Sequence, residues 1–483
     1  MSTSASTSLL SLLLLLLLFT CVLSQTPKTP IFAYSHFRHG ARGPLNLLSN
    51  GSDYFGEQWD TAGELTAVGM RTEFLLGYRN HLRYQSLLSA TYDPRELYVV
   101  SSDINRTIMS ATAQLQGLYP ESTGPTLTDE QLNHTIVPTT ITEDIQAEID
   151  RLQNVSLPNQ INTIPIHVYY NGERRFRLHD ANICTPLKEI KTNNGNTNKD
   201  ALKLVEDFST KYQSALEQFI IGEGQNYSDI VYLNKLTDQY ISDVYNGRNM
   251  SWISAYGVDP DTFLNDSLNV FQGVIQYYLY GDAERQVYRM AMSPIFGEML
   301  TYMKNRVNAV ILNQHDVKYN DYTKPKFVMV SGHDTSIGGS QLFMKELFEL
   351  QHEFITPVFN SHSSFEVFLN ETSSEGADVL SYNDFYVEYS FNDQLLGTFN
   401  FARFVEVVEP ALMTQEEIGE FCDFEEYKNK EGSVYVWTTV LFGVLLLVLI
   451  IVVVVCFLKY SKLPKEVEDY KKVEEGVFPR VTV

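Results

Sequence analysis

Three residues suited to holding or attacking an oxyanion stand within five positions of one another. They are Arg38, His39 and Arg42, in the run Arg-His-Gly-Ala-Arg-Gly-Pro that ends at Pro44. A guanidinium keeps its charge at any biological pH, and its planar fork of N–H groups matches phosphate oxygens. The imidazole between the two arginines is a potential nucleophile. Far along the chain, Ser331-Gly332 is followed by His333-Asp334, an imidazole beside a carboxyl. Arg106 lies between these stretches, in Ser102-Asp103-Ile104-Asn105-Arg106-Thr107. A cation in the first turn of a helix opposes the helix dipole, so Arg106 needs another reason to be there, and a bound anion supplies one. Cations to balance phosphate oxygens, a nucleophile and a proton donor are the parts that phosphoryl transfer requires.

Each of these groups follows an apolar run. Ile31 to Phe37 reads as a buried strand, and Gly40, Gly43 and Pro44 then turn the chain into a tight loop. Leu97 to Ser101 reads as a short strand that feeds a helix through Leu118, with Asp103 or Asn105 as its cap. Lys326 to Val330 is another apolar strand. The carboxyl ends of such strands are where α/β proteins build sites. A helix is expected from Leu65 to Tyr84, where Leu65, Val68, Phe74, Leu75 and Leu82 recur at helical spacing. Phe365 to Leu369 and Phe385 to Phe391 read as the last strands, with Glu366 and Glu388 as satisfied edge residues, and Phe401 to Val408 closes the fold. Pro120 to Lys324 reads as a mostly helical insertion, with helices near 199–223, 228–245 and 284–311. His167, His179 and Asp180 stand isolated there, and no metal-binding pattern appears.

The chain has 483 residues, 44% apolar and 12% aromatic, enough for one large domain or two medium ones. A net charge of −23 argues against nucleic acid as a partner. A small phosphorylated substrate remains compatible, because a local arginine cluster sets the potential inside a cleft. Residues 9 to 23 are mostly leucine, the pattern of a signal peptide over 1–24. No Lys or Arg precedes that run, which leaves an uncleaved anchor as the alternative. A second apolar block, residues 434–458, is long enough to cross a bilayer. Lys459, Lys462 and Lys465 follow it, so the tail, 459–483, is expected in the cytoplasm and the domain 25–433 outside it. The chain would then be a single-pass type I membrane protein. Of the four cysteines, Cys184 and Cys422 would lie outside the membrane, where one disulfide between them is the simple expectation and two buried thiols the alternative. Glycosylation sequons stand at Asn50, Asn105, Asn133, Asn154, Asn226, Asn249, Asn265 and Asn370.

Arg38-His39-Gly40-x-Arg42-x-Pro44, Gly63-Glu64-Leu65-Thr66-x-x-Gly69, Ser102-x-x-x-Arg106-Thr107 and His333-Asp334 occur in that order. Together they resemble the histidine acid phosphatase branch of the histidine phosphatase superfamily, over most of residues 31 to 410. The resemblance implies an α/β fold: a mixed β-sheet core flanked by helices, with a helical cap inserted at about 125–320, besides the one C-terminal transmembrane helix. It implies an acid phosphatase in which His39 is the nucleophile and Asp334 the general acid. Arg38, Arg42, Arg106 and His333 would bind phosphate, with no metal or cofactor. The glycine-rich stretch from Gly63 is given a structural role. Secreted animal members often carry more disulfide bridges, a departure that leaves open how the cap is held. A phytase or inositol polyphosphate phosphatase is the alternative enzyme, although the cap is not conspicuously basic. A non-catalytic phosphate-binding surface glycoprotein is the alternative outside enzymes. Tyr470-Lys-Lys-Val473 and Tyr460-Ser-Lys-Leu463 have the form read by sorting adaptors, Tyr470 being farther from the bilayer. This points to a lysosomal or endosomal membrane, or else the cell surface. The oligomeric state stays open, a homodimer included.

Overall fold

The structure is a computed structural model that describes residues 30–45, 62–135, 140–168, 178–220, 230–248, 251–282, 285–312, 324–370, 380–425 and 430–460. The expected signal peptide, the Tyr470 motif and the sequons at Asn50, Asn226 and Asn249 lie outside the described residues. So does the end of the Tyr460 motif. The chain divides into two compact units, Met1–Ile418 and Gly419–Val483.

The first unit is built on a seven-stranded sheet in the order β3-β2-β4-β1-β5-β6-β7. The strands are β1 (Phe32–Arg38), β2 (Leu97–Ser101), β3 (His167–Val168), β4 (Phe327–Gly332), β5 (His362–Leu369), β6 (Phe385–Phe391) and β7 (Gln394–Asn400). β1, β2, β3 and β4 run parallel, and β5, β6 and β7 are antiparallel, so the sheet is mixed. All of β1, β2 and β4 is buried, as expected of central strands covered on both faces.

The α-helices of eight residues or more are α1 (Ala67–Tyr84), α2 (Asn105–Leu118), α3 (Glu143–Leu152), α4 (Leu187–Thr197), α5 (Lys199–Lys211), α6 (Gln213–Ile220), α7 (Ile230–Tyr245), α8 (Pro260–Gly273), α9 (Gln286–Ile311), α10 (Asp334–Leu347), α11 (Phe401–Val408) and α12 (Lys430–Tyr460). α1 and α2 cover one face, where Tyr84, Ala111, Leu115 and Leu118 pack with Ala33, Phe37, Val99 and Met329. α9, α10 and α11 cover the other, where Phe296 meets Phe343 and Phe365, and Phe365 meets Phe404. α5 to α8 form a helical insertion with its own core around Phe208, Leu233, Tyr240 and Phe263.

Several expectations are corrected. Over 67–84 the helix forms, but the apolar residues of its pattern do not face the sheet. Leu75 and Leu82 are 55% and 53% exposed, while Gly69, Glu73, Gly77, Asn80 and Tyr84 are buried. Close approach to α2 decides this. A Cβ at Gly77 would overlap the Gln114 carbonyl, and one at Gly117 the Phe74 carbonyl, so small residues occupy the seam. Neither Asp103 nor Asn105 caps α2, since Ile104 holds the cap position without a side-chain bond. Glu366 and Glu388 are not edge residues, because β5 and β6 are interior. Glu366 is buried and takes a hydrogen bond from Arg83 Nε at 2.7 Å, across the sheet–α1 interface. The exposed strand β7 went unpredicted, and Phe401 to Val408 is helical.

In the second unit, α12 contains an apolar segment, Phe442–Lys459, long enough to cross a membrane, with none of it buried. Cys184 and Cys422 are both disulfide-bonded and buried, and Cys456 is free and exposed on α12.

Candidate active site

Strand register brings the separated sequence groups together. β1 and β2 both pair in parallel with β4, with Arg38 opposite Gly332 and Ser101 opposite Ser331. The residues that follow, His39, Ser102 and His333, therefore emerge side by side. His39 N donates to the Gly332 carbonyl at 3.1 Å, and Ser102 N to the Ser331 carbonyl at 3.1 Å. The His39 and His333 rings meet edge to face with centroids 5.6 Å apart.

The His39 tautomer follows from its partner. Nδ1 lies 2.9 Å from the Gly40 carbonyl, which can only accept, so Nδ1 carries the proton and Nε2 keeps its lone pair. Burial first, then the charges of Arg38, Arg106 and Arg42 and the neighbouring His333, hold the His39 pKa well below its ordinary value. The ring is thus neutral, with Nε2 free for chemistry.

The three arginines surround it. Arg38 is buried, donating through Nη1 to the Pro357 carbonyl at 2.9 Å and pairing through Nη2 with Asp334 Oδ2 at 2.7 Å. Its guanidinium carbon stands 4.3 Å from the Phe359 ring centroid and 5.0 Å from that of Phe271, a stacking that suits a weakly hydrated planar cation. Arg42 is equally buried and pairs with Asp238 of α7. Arg106, in the first turn of α2, reaches the Gly63 carbonyl at 3.5 Å. Burial, then Arg42, lowers its pKa to about 10, which leaves it charged. In all three the Nε–H is buried with no hydrogen-bond partner among the described residues. Leaving such a donor unmade costs about 1–3 kcal/mol each, more for charged groups. Three unmet cationic donors around one imidazole describe a cradle for an anion with several oxygens.

His333 Nε2 lies 2.9 Å from Ser102 Oγ, which also meets Thr107 Oγ1 at 2.8 Å. Asp334 opens α10, with Oδ1 accepting the Thr335 N–H at 2.7 Å. The structure thus brings together His39, Arg38, Arg42, Arg106, His333 and Asp334. Asn105 is exposed and donates to Glu64 Oε1 at 3.3 Å, so it does not enter the cradle.

The glycine-rich stretch supports the loop directly. Leu65 forms an antiparallel bridge with Arg42, and Thr66 donates from both N and Oγ1 to the Ala41 carbonyl, each at 3.0 Å. A Cβ on Gly40 would stand 2.6 Å from the Gly69 carbonyl oxygen, so the loop and α1 meet backbone to backbone. Sequence reasoning missed Asp238, Ser102, Phe271 and Phe359. Ser102 stood inside a recognised motif, whereas Asp238 sits in a helix with no distinguishing pattern.

Comparison with known proteins follows the same lines. Residues 34–392 match the Histidine phosphatase superfamily (branch 2). Lysosomal acid phosphatase of Xenopus laevis is 32% identical over 173 residues, 35% of this chain and 38% of that protein. Prostatic acid phosphatase of Bos taurus is 24% identical over 312 residues, 63% of this chain and 66% of that protein. Both alignments thus span less than two thirds of the relative's length. A phytase from Citrobacter braakii shares the fold with a TM-score of 0.51 at 14% identity, over 82% of this chain and 99% of that one. The family match runs from within β1 to just past β6 and takes in each of the cradle's six residues: the chain belongs to the histidine phosphatase superfamily, branch 2.

Proposed function

We propose that this chain is an acid phosphatase that hydrolyses phosphate monoesters through a phosphohistidine. The observation that carries this reading is the neutral His39 imidazole, its Nδ1–H turned to Gly40 and its Nε2 free, beside three arginines with unmet Nε donors. In the first step His39 Nε2 attacks phosphorus and the bond to the leaving oxygen breaks. The Asp334 carboxyl gives that oxygen its proton. In the second, water attacks the phosphohistidine, its proton passes to the Asp334 carboxylate, and the P–N bond breaks to release phosphate. Arg38, Arg42, Arg106 and His333 hold the non-bridging oxygens through both steps. Substrate phosphate takes over the Arg38 Nη2 that otherwise pairs with Asp334, which frees the carboxyl for proton transfer.

Simple monoesters suit the surroundings better than inositol polyphosphates. A second phosphate calls for further cations, whereas among the described residues the neighbours of Arg42 and Arg38 include Asp238 and the rings of Phe271 and Phe359. The relatives named lysosomal, the apolar helix and the basic residues after it support a type I protein of the lysosomal or endosomal membrane. In that reading residues 1–24 are a signal peptide, 25–433 the luminal domain and the tail is sorted through Tyr470; the cap expected at about 125–320 narrows to α5 to α8, since β3 pairs in the sheet and α9 packs on it. Cys184 pairs with Cys422, and the exposed sequon residues Asn133, Asn154, Asn265 and Asn370 are open to glycosylation, whereas Asn105, beside Arg106 and bonded to Glu64, is not expected to carry a glycan.

The test is aryl phosphate hydrolysis by the full-length chain in detergent, from strongly acid to neutral pH with a chelator present. His39→Ala and Asp334→Ala run beside the wild type. The expected result is an acid optimum abolished by His39→Ala. A folded wild-type chain inert towards aryl and inositol phosphates would overturn the reading in favour of a binding glycoprotein. A tail-swapped reporter that stays at the plasma membrane would contradict the sorting role of Tyr470.

A further inference from the structure

Arg42 is held by a group outside every motif in the chain. A guanidinium presents two forks, one formed by Nη1 and Nη2 and the other by Nε and Nη2. Asp238 occupies the first, accepting from Nη2 at 2.7 Å and from Nη1 at 3.3 Å. The remaining Nη1 proton goes to the Gly43 carbonyl at 2.8 Å. What is left is the second fork, and its Nε is buried without a partner among the described residues. The same carboxylate fixes the backbone, since Asp238 Oδ2 accepts the Leu45 N–H at 2.9 Å. Asn246, just past the end of α7, donates from Nδ2 to the Arg42 carbonyl at 3.2 Å. α7 and the residue just past it thus grip Arg42 by its side chain and by the backbone that follows it.

A carboxylate so placed could compete with phosphate for Arg42 or could aim Arg42 at it. The division of the forks decides between these. A competitor would take the donors that a ligand needs, whereas Asp238 leaves those donors open and satisfies the others. We propose that Asp238 is a positioning residue, holding Arg42 so that its Nε/Nη2 fork meets the phosphate oxygens as charge redistributes in the transition state. Docking of the helical insertion onto the loop thereby sets the reactivity of the sheet-borne site. The proposal rests on the phosphatase reading and extends it to a residue of the insertion.

Full-length chain in detergent serves for the test, with Asp238→Asn as the variant that keeps shape and removes charge. Asp238→Asn is expected to lower kcat about tenfold or more, with KM changing less, because the lost alignment matters most at the transition state. Its affinity for inorganic phosphate, read by calorimetry, is expected to fall. In an Arg42→Ala background the same substitution is expected to change neither quantity further, the mark of action through Arg42. Tighter phosphate binding or faster turnover in Asp238→Asn would overturn the proposal by making the carboxylate a competitor. An undiminished loss in the Arg42→Ala background would overturn it too. If wild-type chain binds phosphate without turning over aryl phosphate, the phosphatase reading falls, and the two sets of phosphate affinities decide the role of Asp238 alone.

Discussion

At the end of β1 one imidazole has its protonated nitrogen committed to a carbonyl and its pKa driven down by burial and by three guanidiniums. In the proposed acid phosphatase this matters, because an ordinary histidine is largely protonated below about pH 6.5 and could not attack phosphorus. His39 is expected to stay neutral below the pH at which an ordinary histidine takes up its proton, and a histidine NMR titration of the full-length chain would show its ring unprotonated where surface histidines have titrated. In the proposed mechanism Arg106 acts beside it from the first turn of α2. Arg106→Ala is expected to lower kcat by about 10²–10³, the usual loss when one donor to a developing oxyanion is removed. Arg106→Lys should recover only part of this, since an ammonium lacks the fork. Steady-state kinetics on an aryl phosphate would check both, and a loss in Arg106→Ala confined to KM would contradict the assigned role.

The elements do their work through close backbone packing. Gly69 sits where α1 meets the loop that follows β1, and a Cβ there would overlap the Ala41 carbonyl and lie 2.8 Å from the Ala41 nitrogen. Backbone on the other side cannot swing aside, so Gly69→Ala is expected to push the loop outward and lower kcat about 10²-fold, with a stability loss of about 2 kcal/mol. Activity and a denaturation midpoint measured on the same preparation would read both effects. This support was only half visible beforehand. The Gly63 to Gly69 stretch reads as structural, but its grip on Ala41 and Arg42 is a tertiary fact. The six cradle residues were legible as cationic, imidazole and carboxyl groups at or just beyond buried strands, and as one site through the resemblance of their motifs to the histidine acid phosphatase branch. Asp238 was not, because 196 positions separate it from Arg42, and a carboxylate on an amphipathic helix looks like any solvated one. The buried face of α1 was misread for a related reason: hydrophobic spacing finds faces that bury side chains, and this seam is made by their absence.

On the scale of the whole molecule, buried titratable groups pull stability in opposite directions with pH. His362 is buried, and its pKa is lowered to about 4, chiefly by desolvation and then by Arg79. The unfolded chain therefore takes up a proton on this group first as pH falls. The folded state loses about 3 kcal/mol between about pH 6.5 and pH 4 from this group. His36, lowered to about 3 by burial, acts in the same sense. Glu73 does the reverse. It is wholly buried with Gln114 as a hydrogen-bond donor at 2.7 Å, and desolvation raises its pKa well above the ordinary value. The unfolded chain releases that proton first as pH rises, so Glu73 costs stability above its ordinary pKa and none below it. Glu73→Gln is expected to raise the melting temperature near neutral pH and to converge with wild type in acid. A uniform shift at every pH would show that packing, and not ionisation, governs this position.

The central claim is that His39 Nε2 accepts the phosphoryl group, and trapping that bond tests it most directly. Full-length chain is mixed with an aryl phosphate, denatured in alkali within the turnover time to preserve phosphohistidine, and its peptides are weighed. The account predicts a phosphoryl increment on the peptide that carries His39, larger in Asp334→Ala, where the water step lacks its base, and absent in His39→Ala. Turnover with the label on another residue, or with no labelled peptide at all, would contradict it.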